Sequence, residues 1–401
     1  MKKRLKVLMV GQLPTEVGGN YTTGIARVVY ELCKQEYSES DIFLYATNIK
    51  DRIANEISKY PNQYMGYRIS PVKFLINMLK NPISTYRRWK HYKNKSYNNP
   101  LRFDFIRFNL ERAIKLVKPD LIHMHGDGLD SLYFANKKYN IPILLTLHGV
   151  MWDGDYDDII THNKYLNNMG FADYFTGLNE EVRRKMIQVS IPANKITLIP
   201  NGVDTKKYYF SKSARESIRA KFGISNDRVV FITVGLIIDR KGQLASLKIL
   251  NSLGIDFEYW IIGEGPDMMA IRKFAIENDI EDRVKLLGYI KDTDLYKYHS
   301  GADIYLHASE MEGQALSETE AYASGLRVIV NQKIANTVVG NPNIDTETYY
   351  ILKYDSPDYE ELLEWISTPI CQRVSRSNFS WSVIAGKYEK LYHKLINDNS
   401  L

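Results

Sequence analysis

Residues 302–325 read ADIYLHASEMEGQALSETEAYASG. The opening run, Ala302–His307, has strand character, a short loop Ala308–Gly313 follows, and helical spacing sets in at about Ala315. A strand that passes through a short loop into a helix is one half of a βαβ unit. The helix mouth has a chemical consequence, because first-turn N–H groups are unpaired and carry partial positive charge, which suits a phosphate. Glu312 falls in the loop at that mouth and Glu320 about one and a half turns further in. From there Glu312 can contact a group attached to the phosphate, such as a sugar hydroxyl. Glu320 can accept hydrogen bonds from a ribose diol. Each glutamate also has a plain reading as a solvated helix residue.

The same alternation extends in both directions. Strands are expected at Leu5–Val10, Ile42–Ala46, Leu121–Met124, Ile143–Leu147, Tyr174–Gly177 and Ile196–Ile199. A second series is expected at Val229–Val234, Phe257–Ile262, Val284–Leu287, Ile304–His307 and Val328–Val330. Amphipathic segments between them predict two parallel sheets covered by helices on both faces. Pro200 and the turn pair Asn201–Gly202 put a boundary near residues 203–210. Each half then opens alike, with a strand, a glycine-containing loop (Gly11–Gly19 and Gly235–Gly242) and a helix. No repeat of solenoid length is visible.

Composition agrees with a globular protein of two domains. At 401 residues the chain is too long for one core, and 44% hydrophobic with 25% charged residues excludes collagen-like, low-complexity and disulfide-scaffold classes. Two cysteines, Cys33 and Cys371, allow neither a disulfide framework nor a four-cysteine zinc site, so a reducing compartment is expected. The basic start MKKRLKVLMV imitates a secretion signal, but Lys6 interrupts the apolar run, and a buried first strand is the better reading. No run approaches the ~18 apolar residues of a membrane span. A soluble or peripheral intracellular protein is the expectation.

Charge is unevenly distributed. Residues 68–118 hold 13 Lys and Arg against Asp104 and Glu111, a charge of +11, which leaves the other 350 residues at −5 against +6 for the whole. Phe74, Tyr86, Trp89, Tyr92, Tyr97, Phe103, Phe105 and Phe108 are interleaved with the cations, and Val72, Leu75, Ile76 and Leu79 fall at helical spacing. A solvated basic helical pair and docking on an anionic membrane surface are the two leading readings, with an acidic polymer behind them. Sequence-specific nucleic-acid binding is not expected, because no recognition motif is present.

Metal-like patterns are weak. His123–Met124–His125 puts two rings on one strand face, but no third ligand is evident. Asp153, Asp155, Asp157 and Asp158 fail as an EF-hand, since Asp158 stands where Gly is needed and Lys164 where Glu is needed. Asp153–Gly154–Asp155 as the Asp-x-Asp of a metal-dependent GT-A transferase would leave residues 205–401 unexplained.

Ordered motifs carry a family resemblance. Pro200–Asp204 (PNGVD), Val234–Gly242 (VGLIIDRKG), Gly263–Pro266 (GEGP), Arg283–Gly288 (RVKLLG), Ala302–Ile304 (ADI) and EGQALSETEAYASG at 312–325 follow one another. Gly18–Gly19 and Thr146–Gly149 (TLHG) precede them, and Phe379–Trp381 leads into a last amphipathic helix. In this order they resemble the retaining GT-B glycosyltransferases of the family 4 type, the bacterial polysaccharide and lipid glycosyl transferases. The resemblance covers most of the chain except residues 50–118.

It implies a GT-B α/β fold: two Rossmann-like domains with a cleft between them and a C-terminal helix that crosses back to the first. The implied division is 1–204 for the acceptor side, with 68–118 as a basic aromatic insertion, 205–378 for nucleotide-sugar binding, and 379–401 for the returning helix. The implied reaction transfers a sugar from a nucleotide-sugar, UDP- ahead of GDP-, to a glycan, glycolipid or glycoprotein hydroxyl, with retention and without a metal or other cofactor. The implied catalytic residues are His148, which contacts the transferred sugar, Lys241, which neutralises the leaving diphosphate, and Glu312, which also contacts the sugar. Gly18, Gly19, Arg240, Tyr289, Gly313, Gln314, Ala315, Leu316 and Glu320 join Lys241 and Glu312 around the donor, with the backbone near Tyr289 beside the base and Glu320 on the ribose.

One position departs from the family pattern: Leu236 stands where an arginine usually follows the glycine. It motivates a second reading, a catalytically silent subunit that binds glycan or a partner transferase. A nucleotide-sugar epimerase on the same architecture would turn donor over without an acceptor. The expected location is cytoplasmic or peripheral on the inner face of the membrane.

Overall fold

Short, almost uninterrupted apolar runs such as Val229–Val234 and Phe257–Ile262 can be satisfied only inside a parallel sheet covered on both faces, and that is where they lie. The structure is a computed structural model that describes residues 3–17, 19, 24–47, 63–64, 71–94, 100–126, 129–149, 171–225, 227–337, 346–368 and 375–398. The chain forms two compact units, one of residues 1–178, 182–199 and 381–401, the other of 179–181 and 200–380. Among the described residues no helix is long and apolar enough to cross a membrane.

The first unit holds strands β1 (Leu5–Gly11), β2 (Ser40–Ala46), β3 (Gln63–Tyr64), β4 (Leu121–His125), β5 (Ile143–Leu147), β6 (Tyr174–Gly177) and β7 (Ile196–Leu198). They form a parallel sheet in the order β3-β2-β1-β4-β5-β6-β7. The second unit holds β8 (Val229–Val234), β9 (Phe257–Ile262), β10 (Val284–Gly288), β11 (Ile304–His307), β12 (Arg327–Asn331) and β13 (Tyr349–Leu352). Their order is β10-β9-β8-β11-β12-β13, again parallel. Both sheets have the Rossmann-like order, which reverses between β1 and β4 in one unit and between β8 and β11 in the other. Ligands bind such sheets at the carboxyl ends of the strands flanking that reversal.

Strand periodicity divides the second unit's core cleanly. Phe231, Tyr259, Ile261, Ile304 and Leu306 point to one face, and Val230, Ile232, Trp260, Ile262 and Tyr305 to the other. The aspartate of the ADI motif pins a helix to this sheet. Asp303 is bonded to Arg215 at 2.7 Å and Arg219 at 3.1 Å, both on helix Lys212–Lys221, and accepts from the Val230 amide at 2.9 Å. The ends of this unit are tied as well. Val203 of PNGVD donates to the Phe379 carbonyl at 3.1 Å and bridges Ser380, so two of the matched motifs have a packing role.

The C-terminal helix Trp381–Asp398 belongs to the first unit, as the returning helix was expected to. Its Glu389 carboxylate accepts from the Ser38 amide at 3.0 Å, the Ser38 hydroxyl at 2.8 Å and the Glu39 amide at 2.8 Å. Burial opposes its ionisation, but those donors hold its pKa below the ordinary glutamate value. Glu389→Ala leaves two amides and a hydroxyl without their acceptor, and should lower the unfolding free energy by about 2 kcal/mol. Denaturant unfolding checks this, with Glu389→Gln, which keeps one acceptor oxygen, losing less. Equal stability of wild type and Glu389→Ala would show that the helix is held by packing alone.

Candidate active site

In the second unit the loops after β8 and β11 meet at the sheet reversal. Their approach depends on Gly242, whose φ of +69° is left-handed and whose added Cβ would lie 2.7 Å from both the Cβ and the carbonyl oxygen of Ala308. The turn Asp239–Lys241 can therefore lie directly against residues 308–312. The Glu310 amide donates to the Arg240 carbonyl at 3.0 Å, and the Arg240 guanidinium donates to the Met311 carbonyl at 2.5 Å. Lys241 is paired with Glu312, whose Oε1 also accepts from Ser309 Oγ at 2.9 Å and lies 3.5 Å from Arg240. Burial opposes ionisation of Glu312, but Lys241, His307 and Ser309 together hold its carboxyl below the usual range. Glu312 is thus an anion held at one address by two cations.

Helix Leu316–Ala323 begins immediately beyond. Its cap position is Ala315, which has no side-chain acceptor for the first-turn amides. Gln314 is turned to the neighbouring loop, where its Oε1 accepts the Asn201 amide at 2.7 Å. Glu320 lies on this helix only 5% exposed. Tyr289 stands on the turn after β10, 72% exposed, as the first residue beyond Gly288.

The glycines of GEGP shape this edge of the sheet. A Cβ on Gly263 would lie 1.9 Å from the Gly235 carbonyl oxygen, and one on Gly265 2.0 Å from that of Ile237. They let the loops after β8 and β9 touch, and their turn-forming reading is sufficient.

Sequence reasoning missed a buried group beneath the loop. His307, the last residue of β11, bonds through Nδ1 to Glu318, which also accepts from the Tyr349 hydroxyl at 3.2 Å. His307 Nε2 is buried with no hydrogen-bond partner. A histidine at a strand's carboxyl end, immediately before the loop that carries Glu312, was the available signal.

The first unit carries the other implied residues. Gly19 donates to the Pro14 carbonyl at 2.9 Å, and a Cβ there would lie 1.7 Å from the Leu13 oxygen, so its backbone turn needs glycine. Gly18, and the acidic run Asp153–Asp158, lie outside the described residues. His148 follows β5 at its carboxyl end, half-buried, with Nε2 2.9 Å from His125 Nδ1. Beside them His123 bonds Tyr392 through Nδ1 and Thr146 through Nε2, each at 2.7 Å. Both nitrogens of His123 are thereby engaged, so the His-x-His pair joins strand β4 to the C-terminal helix. Burial lowers His123 to about 3 and His148 to about 4, and drives His125 well below the ordinary value. All three imidazoles are therefore neutral near pH 7. Among the described residues no group of three His, Cys, Asp or Glu is placed to hold a metal ion.

Comparison with known proteins agrees with this architecture. Residues 22–207 match the Glycosyltransferase Family 4 model, and residues 214–361 match that of glycosyl transferases group 1. Alpha-monoglucosyldiacylglycerol synthase of Acholeplasma laidlawii is 26% identical over 324 residues, 72% of this chain and 79% of its own length. Among solved structures, a glycosyltransferase from Rickettsia africae superposes with a TM-score of 0.70 at 14% identity, covering 98% of this chain and 99% of its own. Anabaena HepE in complex with UDP and glucose gives 0.64 at 16% identity, covering 99% and 98%. With two family models in tandem along a pair of Rossmann-like sheets, the chain belongs to the GT-B glycosyltransferases of the family 4 type.

Proposed function

We propose that this glycosyltransferase moves a sugar from a nucleoside-diphosphate sugar to an acceptor hydroxyl in glycolipid or polysaccharide synthesis, with retention of anomeric configuration and without a metal. The carrying observation is the Lys241–Glu312 pair at the sheet reversal, next to a helix start whose cap residue supplies no acceptor. Lys241, with Arg240 beside it, supplies positive charge to the departing diphosphate, and the amides at Gly313–Leu316 receive its oxygens. Glu312 orients Lys241 and accepts from a hydroxyl of the transferred sugar. Glu320 serves the ribose and the backbone at Tyr289 the base. On the first unit, neutral His148 acts as a hydrogen-bonding partner of the sugar, its orientation fixed by His125. UDP is favoured as the carrier because HepE is solved with UDP and glucose. The acceptor class follows the diacylglycerol glycolipid named for the Acholeplasma relative.

Cationic side chains and helix amides can take the place of a divalent ion at the diphosphate. Transfer should therefore be unchanged in EDTA, and a loss restored by added Mg²⁺ or Mn²⁺ would overturn the metal-free reading. The direct test of the function is a panel of nucleotide-sugars scored for thermal stabilisation and for release of nucleoside diphosphate. Stabilisation and turnover by a UDP-sugar are expected. One observation favours a second reading: Leu236, where the family usually has arginine, is 56% exposed at the carboxyl edge of the sheet. If no nucleotide-sugar shifts the melting temperature while a partner transferase co-purifies, the chain is the silent subunit instead.

A further inference from the structure

Three polar side chains at the start of helix Leu316–Ala323 could close its mouth, and each is bonded elsewhere. Gln314, just before the cap, gives its Oε1 to the Asn201 amide at 2.7 Å. Ser317, the second helical residue, accepts from the Tyr305 hydroxyl at 2.9 Å. Glu318, the third, bonds His307 Nδ1 through Oε2 and accepts from the Tyr349 hydroxyl through Oε1 at 3.2 Å. The third position matters most. A glutamate there ordinarily folds back onto the amide of the cap residue, and its charge is attracted by the helix start. Here both oxygens are engaged on the sheet side instead, by the last residue of β11 and the first of β13.

His307 is the residue that holds Glu318 there. An ionised carboxylate only accepts, so Nδ1 carries the hydrogen of that bond. The second ring nitrogen, Nε2, is buried without a hydrogen-bond partner, in a residue 5% exposed. A buried ring nitrogen left unpaired opposes folding, so stability alone does not account for a histidine here. The bond to Glu318 does. The same imidazole is among the groups that hold the Glu312 carboxyl below its usual range. It therefore acts on two carboxylates, one turned toward Lys241 and one turned away from the helix mouth.

We infer that His307 is a positioning residue, which draws Glu318 off its own helix start and so keeps the mouth open for the oxygens of a nucleoside diphosphate. It touches no reacting atom. Without it, Glu318 is left as a buried carboxylate facing the Tyr349 hydroxyl alone, and turning back to the Ala315 amide satisfies it better. The carboxylate then stands where a phosphate oxygen would, and opposes the remaining ones as a like charge. Ala315 completes the device, because a Ser, Thr or Asp at that position would close the mouth from the cap. The inference rests on the reading of this helix start as the diphosphate site.

The test is calorimetric titration of the full chain with UDP and UMP, or with GDP and GMP where wild type prefers guanine. His307→Leu should weaken diphosphate binding at least about tenfold and monophosphate binding less, because the released carboxylate opposes the added phosphate. Glu318→Gln removes that charge. Combined with His307→Leu it should return most of the lost affinity, whereas a merely structural role for His307 predicts a further loss. His307→Asn, whose amide nitrogen falls at the place of Nδ1, should keep most of the affinity. His307→Gln places its amide at the Nε2 end, should lose as leucine does, and takes its place if the leucine variant does not fold. Diphosphate binding equal to wild type in His307→Leu or His307→Gln, or a loss that Glu318→Gln does not return, would overturn the inference and leave the diphosphate site standing. A wild type that binds neither UDP nor GDP would overturn the site, and the inference with it.

Discussion

Lys241→Ala is expected to lower sugar transfer by about 10²-fold or more, equivalent to about 2.7 kcal/mol at 1.36 per decade. The size follows from what the side chain does twice. In the proposed reaction it is the cation that meets the departing diphosphate, and charge supplied at a leaving group in a site that excludes water contributes more than the same charge in water. It is also the partner that keeps Glu312 in place: the carboxylate is bonded to Lys241 and Ser309 in a part-buried setting. Removing the lysine leaves Glu312 with Ser309 and the more distant Arg240. Glu312→Ala should therefore cost a similar factor, and the double variant should lose clearly less than the product of the two, because both act through one pair. The roles can be separated by ligand: loss of Lys241 should weaken binding of the nucleoside diphosphate more than of the monophosphate, and loss of Glu312 should weaken the complete donor more than the diphosphate. Lys241→Arg restores charge but not a point ammonium, and should recover part of the rate. A folded Lys241→Ala enzyme with wild-type kcat/KM would remove the lysine from the mechanism, and strictly multiplicative losses would dissolve the pair.

Almost every sheet strand expected from the sequence is found within one or two residues, because a strand buried on both faces leaves the plainest possible record, a short apolar run between turn signals. Ile143–Leu147, Tyr174–Gly177, Val229–Val234, Phe257–Ile262 and Ile304–His307 coincide with their expected bounds. The two unexpected strands lie at sheet edges. Gln63–Tyr64 is two residues long, and Tyr349–Leu352 alternates in burial, so neither produces a continuous apolar run. Lys241 and Glu312 were legible as single residues through their motifs, but 71 residues of sequence separate them, and only Gly242 against Ala308 shows why they meet. His307 and Glu318 were not legible, since a histidine that ends an apolar strand reads as part of the strand. The net charge of residues 68–118 was correctly seen as exceptional, yet counting could not separate Arg88 and Arg107, turned inward to Asp104, from the cations turned outward. The histidines illustrate the same limit. His123, His125 and His148 were each noticed, but the hydroxyl that orients His123 belongs to Tyr392, 269 residues away.

That cluster should make the first unit acid-labile. His123 has its pKa lowered to about 3 by burial and by the nearby His148, and that of His125 is held well below the ordinary value by burial and by both neighbouring rings. In the unfolded chain each imidazole takes up its proton near pH 6.5. Throughout the interval from about 6.5 down to the native pKa the unfolded state binds more protons than the folded state, so stability falls as pH falls through that interval and is fully present above it. Between pH 7 and pH 5 the difference is about 2 kcal/mol for each such imidazole, on the order of 4 kcal/mol for His123 and His125 together, and His148, lowered to about 4, adds a similar amount over that range. That is a large part of the ~5–15 kcal/mol available to a folded unit. Thermal unfolding should accordingly drop steeply between pH 6.5 and 5, and calorimetry in buffers of different ionisation enthalpy should register close to three protons taken up by these rings on unfolding near pH 5. His125→Gln is the informative variant, because it leaves the bonds of His123 to Tyr392 and Thr146 in place while removing one titrating ring. It should flatten the slope by about one proton. An unfolding temperature that stays level from pH 7 to 5, or proton uptake unchanged in His125→Gln, would mean that these rings are reached by water and already titrate in the folded protein.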